Sequence, residues 1–177
     1  MRFLSVLVLA AAGAAGFAAD AKYTLTGENT KVEFTGTKKD GKHDGGFKTL
    51  VGTITVPGDD PTKASIDVTI DTDSLYSDNP GLTGHLKNKD FFDVKTNKTS
   101  TFKSTKIEKG KDGYQVTGDL TLNGKTKSIT FPAKIDTKSG LALTASFKID
   151  RTEFGMTYGA GKVDNEVALR VDVKAKN

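Results

Sequence analysis

From Lys22 onward, apolar and polar residues alternate with a period of two through almost the whole chain. Such a chain has to build sheet with one dry face and one wet face. Ile66, Val68 and Ile70 alternate with Asp67, Thr69 and Asp71; Val116, Gly118, Leu120 and Leu122 alternate with Thr117, Asp119 and Thr121; Val167, Leu169, Val171 and Val173 oppose Ala168, Arg170, Asp172 and Lys174. Each run is apolar on one face only, so the runs are expected to share one interior. Asn123-Gly124, between two alternating runs, is a strong hairpin signal. Gly110–Gly113 and Thr137–Gly140 read as two more turns, and Pro57–Pro61 as a longer one. Strands are expected near 22–27, 31–38, 45–56, 64–71, 100–108, 113–122, 127–136, 141–150 and 165–175. An antiparallel set of about eight or nine strands curls and closes, which removes its edges, so the expected fold is an all-β antiparallel barrel.

The alternation stops between Asp78 and Asp90. Asp78 or Asn79 supplies an N-cap, Pro80 fits the first turn, and Leu82 and Leu86 lie four apart on one face. One short helix is expected near 80–88, packed across an end of the barrel by Leu82, Leu86 and either Phe91 or Phe92.

Composition narrows the function. The formal net charge is +4, and 23 of the 26 basic residues are Lys, interspersed with Asp and Glu. A nucleic-acid reader concentrates Arg on one face, so no nucleic-acid partner is expected. Without cysteine, disulfides, thiol catalysis and Cys-ligated zinc are excluded. At the N-terminus Arg2 precedes the apolar run Phe3–Leu9, which softens into Ala10–Ala15 before the small residues Gly16, Ala18 and Ala19. This succession reads as a signal peptide over 1–19, with 20–177 as one mature domain and no stable membrane anchor after cleavage. The retained-anchor alternative is weak, because the run is only about 17 residues long and rich in Ala and Gly. A periplasmic or secreted protein is expected.

No catalytic or metal-binding set stands out. Only His43 and His85 are present, too few for a converging metal or acid–base set. His43 lies in a polar loop and is expected to be solvated. His85 adjoins the Leu82/Leu86 stripe; it reads as a helix-anchoring residue or, alternatively, as a polar contact at a ligand mouth. Arg151 is expected to cap nearby carbonyls or join an ion pair. No phosphate loop or nucleophile elbow is found, so the chain is not expected to be an enzyme, and neither a cofactor nor a metal is implied.

The aromatic residues are Phe-rich and Trp-free. Phe34, Phe47, Phe102, Phe131 and Phe147 fall at apolar-parity positions of strands. An eight-stranded barrel either fills its interior with side chains or holds one ligand there, and alternation alone separates neither case.

Several segments, in order and spacing, resemble the YceI-like proteins. They are Val32-Glu33-Phe34, Gly45-Gly46-Phe47 with Gly52, the block from His85 to Val94, Thr101–Thr105, the block from Val116 to Gly124, and Arg151–Gly155. The resemblance covers about 23–174. Tyr23, Thr26, Asn29 and Thr30 stand where the family commonly has Trp, Asp and His-Ser; Leu82 and Thr83 replace an Arg-Asp pair, and Lys98 a Pro.

The resemblance implies a lipocalin-like barrel in the periplasm that binds an isoprenoid or other long apolar chain, such as a polyprenyl or quinone tail. Inward parity makes Phe34, Phe47, Phe102, Leu120, Leu122, Phe131 and Phe147 the expected lining of that lumen, with Leu82 and His85 near one end of the ligand. Chain length alone could supply affinity, at about 0.8 kcal/mol per buried CH₂. The alternative is a filled barrel acting through its outer surface as an envelope stress or scaffold protein. The sequence does not fix the oligomeric state, a dimer being one option.

Overall fold

A computed structural model describes residues 19–176. The signal peptide reading lies outside the described residues. Eleven strand segments form one antiparallel sheet: β1 Ala21–Thr26, β2 Thr30–Lys38, β3 Gly41–Phe47, β4 Leu50–Val56, β5 Ser65–Asp71, β6 Leu75–Ser77, β7 Thr99–Gly110, β8 Gly113–Leu122, β9 Lys125–Asp136, β10 Leu141–Asp150 and β11 Val163–Ala175. The order in the sheet is β1-β4-β5-β7-β8-β9-β10-β11-β2-β3-β6.

The sheet curls shut because two of these segments are halves of one bent strand. β3 pairs with β2 and β6, whereas β4 pairs with β1 and β5. Only Lys48 and Thr49 separate them. Their N–H groups leave the ladder and bond Ser74, Lys48 to its carbonyl at 3.3 Å and Thr49 to its hydroxyl at 3.0 Å. The single strand expected over 45–56 is therefore two segments, and it begins earlier, at Gly41. β5 and β6 are the matching pair, parted by a 3₁₀ turn at Thr72–Ser74. With β3 joined to β4 and β5 to β6, and β1 set aside at the edge, eight strands ring the barrel.

The turns follow their residues. Asn123 (φ 49°) and Gly124 (φ 70°) both take positive φ, as a two-residue hairpin whose twist matches its strands requires. Thr105 is inserted between Ser104 and Lys106 in the β7–β8 ladder. This bulge moves the inward positions of β7 from Phe102 to Ile107. β9 and β10 pair only over Ala133–Asp136 and Ala142–Ala145, although both strands run on beyond Ala133 and Ala145.

Among the described residues one α-helix, α1, spans Pro80–Leu86. Asn79 is its N-cap, the side chain accepting a bond from the Leu82 N–H at 3.0 Å. The helix ends two residues before the expected limit. The Asn88 N–H bonds the His85 carbonyl three residues back, which tightens the chain into turns through Asn97.

Candidate ligand site in the barrel lumen

The inner face changes character along the barrel. Towards one end the protein fills its own interior: Tyr23, Leu25, Ile54, Val56, Val116 and Leu141 are at most 2% exposed. Towards the helix end, side chains of the same inward parity are only half-buried. Phe34 on β2, Leu120 on β8, Ile149 on β10 and Leu169 on β11 behave in this way, while Val32, Phe147 and Val171 between the two zones are partly buried and pack on the filled core. Residues that point into a closed sheet and still meet solvent line space that their neighbours leave open.

The ladders place these side chains in rows. Phe147 lies opposite Leu169, Leu169 opposite Phe34, and Phe34 opposite Gly45. Phe131 extends the row by stacking on Phe147, with centroids 4.2 Å apart and planes 9° from parallel, and Phe102 meets Phe131 at 5.5 Å. The result is an aromatic belt around the interior. Two glycines let the belt lie flat. A β-carbon on Gly45 would overlap the Phe34 ring, and one on Gly118 the Phe102 ring, so each ring rests on bare backbone and stays out of the middle.

The helix end is capped by a second apolar cluster. Leu75, Leu86 and Phe91 are buried there, with Phe34, Phe47, Leu82 and Phe92 packed against them. Phe47 meets Phe34 at 6.2 Å and Phe92 at 5.6 Å. Phe92 also packs, with Leu120 and Ile149, against a third cluster of Leu122, Phe154 and Met156. It therefore links the cap to the far wall, and Asn97 anchors its carbonyl at 3.3 Å.

The sequence-derived set thus falls into groups. Phe34, Phe47 and Leu82 meet at the cap; Phe102, Phe131 and Phe147 meet in the belt; Leu120 packs on the Leu122–Phe154–Met156 cluster. Leu122 is buried against Phe154 and Met156, so it serves as floor. His85 is engaged with polar and aromatic neighbours: Nε2 is 2.8 Å from Asp90 Oδ2, and the ring packs edge-on against Phe91 and the exposed Tyr158. His43 is not simply solvated, since Nδ1 pairs with Asp78 Oδ1 at 2.9 Å. The Asp44 N–H, and then His43, hold the Asp78 carboxyl below the usual carboxylate range. Val68, Ile70, Ile149, Leu169 and Val171 were placed on apolar faces by their parity but not assigned to the ligand lining, and Phe92 is marked by no alternation.

Arg151 is buried and caps carbonyls. Nε donates to Asp164 O at 3.0 Å, Nη2 to Val163 O at 3.1 Å, and Nη1 to Met156 O. Burial lowers its pKa, against the pull of Asp150. It fixes the 3₁₀ turn Arg151–Phe154 to the start of β11, closing the barrel below Leu122. A concavity of about 780 Å³ follows the wall β10–β11–β2–β3. Residues of both faces line it, Phe34, Phe147 and Leu169 from inside and Glu33, Lys148 and Arg170 from outside, so it is an open groove along this wall and not a measure of the lumen. Among the described residues, no group of three or more His, Asp or Glu is placed to hold a metal ion, and no helix is long and apolar enough to cross a membrane.

Residues 23–175 match the family model described as the YceI-like domain. The chain belongs to the YceI-like family. Among relatives, a UPF0312 protein of Serratia proteamaculans is 35% identical over 184 residues, covering 94% of this chain and 91% of its own. Among solved structures, BcnA of Burkholderia cenocepacia superposes with a TM-score of 0.75 at 25% identity, covering 81% of this chain and 94% of that one. A domain from Saccharophagus degradans described as polyisoprenoid-binding superposes with a TM-score of 0.66 at 14% identity, covering 88% of this chain and 98% of its own, and shares the fold. The YceI-like barrel expected from the sequence is therefore the observed architecture.

Proposed function

We propose that this YceI-like protein holds an isoprenoid or other long apolar chain in the helix-end half of its lumen and performs no reaction on it. The observation that carries this reading is the change along the inner face, from fully buried side chains to inward apolar side chains, Phe34, Leu120, Ile149 and Leu169, that are only partly buried. A flexible hydrocarbon chain is complementary to such a surface, because burial is rewarded by area and needs no directional partner. The belt of Phe102, Phe131, Phe147 and Phe34 would flank the chain, and Phe47, Leu82 and Phe92 would cap its end. His85 would stand behind that cap. The polyisoprenoid binding ascribed to the S. degradans domain agrees with this use of the fold. We place the protein in the periplasm or outside the cell, with residues 1–19 removed, on the Arg2–Ala19 succession.

The test uses the protein itself. A long-chain quinone or polyprenyl phosphate added to delipidated protein should raise its melting temperature. Leu169→Trp adds bulk to a half-buried position on the inner wall without adding charge. It should weaken binding of long chains while the fold is retained by circular dichroism. No thermal shift with either lipid would favour a barrel that acts through its outer surface.

A further inference from the structure

The β9–β10 ladder stops early, and what lines the resulting gap departs from the rest of the inner face. After Ala133 and Ala145 the strands share no further ladder pair, so Lys125–Pro132 bond only β8, and Ser146–Asp150 bond only β11. The wall is therefore split from the stacked pair Phe131–Phe147 down to the 3₁₀ turn at Arg151–Phe154. On the β8 side of the split, Leu120 and Leu122 are inward. Their ladder partners on β9 are Lys127 and Lys125. At the depth where the alternation of β9 would place two more apolar residues after Ile129, two exposed lysines stand instead. The Lys125 ammonium lies beside Gly155, where a β-carbon would be 2.9 Å from Nζ, at the lower edge of the split. Among the described residues neither lysine is paired with a carboxylate.

We infer that the split between β9 and β10 is a side portal of the lumen, where Lys125 and Lys127 bind the phosphate or diphosphate head group of an apolar chain held inside. This rests on the lumen being the ligand site. The apolar tail has no use for ammonium groups, and these two sit where the lumen meets water. A neutral head, as on a quinone or an alcohol, would offer them an acceptor oxygen but no opposite charge. A phosphate accepts bonds from several Lys Nζ groups with the added strength of opposite charge.

The experiment compares a polyprenyl monophosphate with the polyprenol of the same chain length, both titrated calorimetrically into the delipidated full domain. The wild type should prefer the phosphate by about tenfold or more at low salt. K125Q/K127Q should abolish most of that preference and leave the polyprenol affinity unchanged. K103Q/K134Q removes the same charge from outward positions and should keep the preference. The inference is overturned if the wild type binds both lipids equally, or if K125Q/K127Q keeps its preference, or if both double variants lose it alike. Binding of neither lipid would instead sink the lumen reading on which the inference rests.

Discussion

The ring of Phe131 lies flat on that of Phe147 at the point where the β9–β10 ladder ends. Their stacking continues the contact between the two strands after the ladder has stopped, yet the two residues differ in burial. Phe131 is 6% exposed, whereas Phe147 is only partly buried. Phe131→Ala is expected to cost about 3–5 kcal/mol by urea unfolding, as for a buried Phe. Phe147→Ala should cost about 1–2 kcal/mol, from lost stacking and partial burial, while reducing lipid affinity.

The filled and open halves of the barrel give a second contrast. Leu25 is 1% exposed, so Leu25→Ala should destabilise by about 2–5 kcal/mol. Leu169 is half-buried on the inner wall, and Leu169→Ala in the delipidated protein should cost about 1 kcal/mol or less. Equal costs at the two positions, measured by urea unfolding, would show that the interior is uniformly packed.

Arg151 donates to three carbonyls, of which that of Met156 is buried. Arg151→Met keeps the stem and deletes the donors, and it should destabilise by about 1–3 kcal/mol, the cost of leaving the buried carbonyl unpaired, while the other two are reached by water. The 3₁₀ turn should loosen with it, seen as faster amide exchange at Gly155 and Met156, whose N–H groups bond within that turn.

Acid sensitivity follows from the carboxylates. Hydrogen bonds hold Asp44, Asp60, Asp78 and Asp150 below their usual range: Thr35 first for Asp44, Thr62 for Asp60, the Asp44 N–H for Asp78 and Thr152 for Asp150. A carboxyl whose pKa is depressed on folding contributes stability above its unfolded value of about 3.9, and loses it as pH falls through the folded value. The urea midpoint should therefore hold near neutrality and drop below about pH 4. Asp150→Asn should flatten that drop while lowering stability at pH 7.

Much of this was legible in the alternation. The inward parity of Phe34, Phe102, Phe131 and Phe147 and the Asn123-Gly124 hairpin follow from local patterns with few alternatives, whereas the cap at Asn79 and the carbonyl-capping role of Arg151 were each one of two local readings. What the alternation could not carry was the third dimension. The change of partner at Lys48–Thr49 depends on a non-local turn around Ser74. The bulge at Thr105 inserts one residue without altering composition. Phe92 acquires its place from tertiary packing of an irregular segment, and the early end of the β9–β10 ladder leaves no mark in either strand except the lysines at 125 and 127. The partner of His43 lies 35 residues away in sequence.

The central claim, that the helix-end lumen holds a long apolar chain, is tested most directly by extraction. The protein should be purified from the envelope of its native cells without detergent, then extracted with organic solvent and analysed by mass spectrometry. A prenyl-chain lipid is expected at close to one equivalent per protein, and much less from Leu169→Trp prepared in parallel. A wild-type extract without lipid, from protein that also shows no thermal shift with added quinone or polyprenyl phosphate, would contradict it.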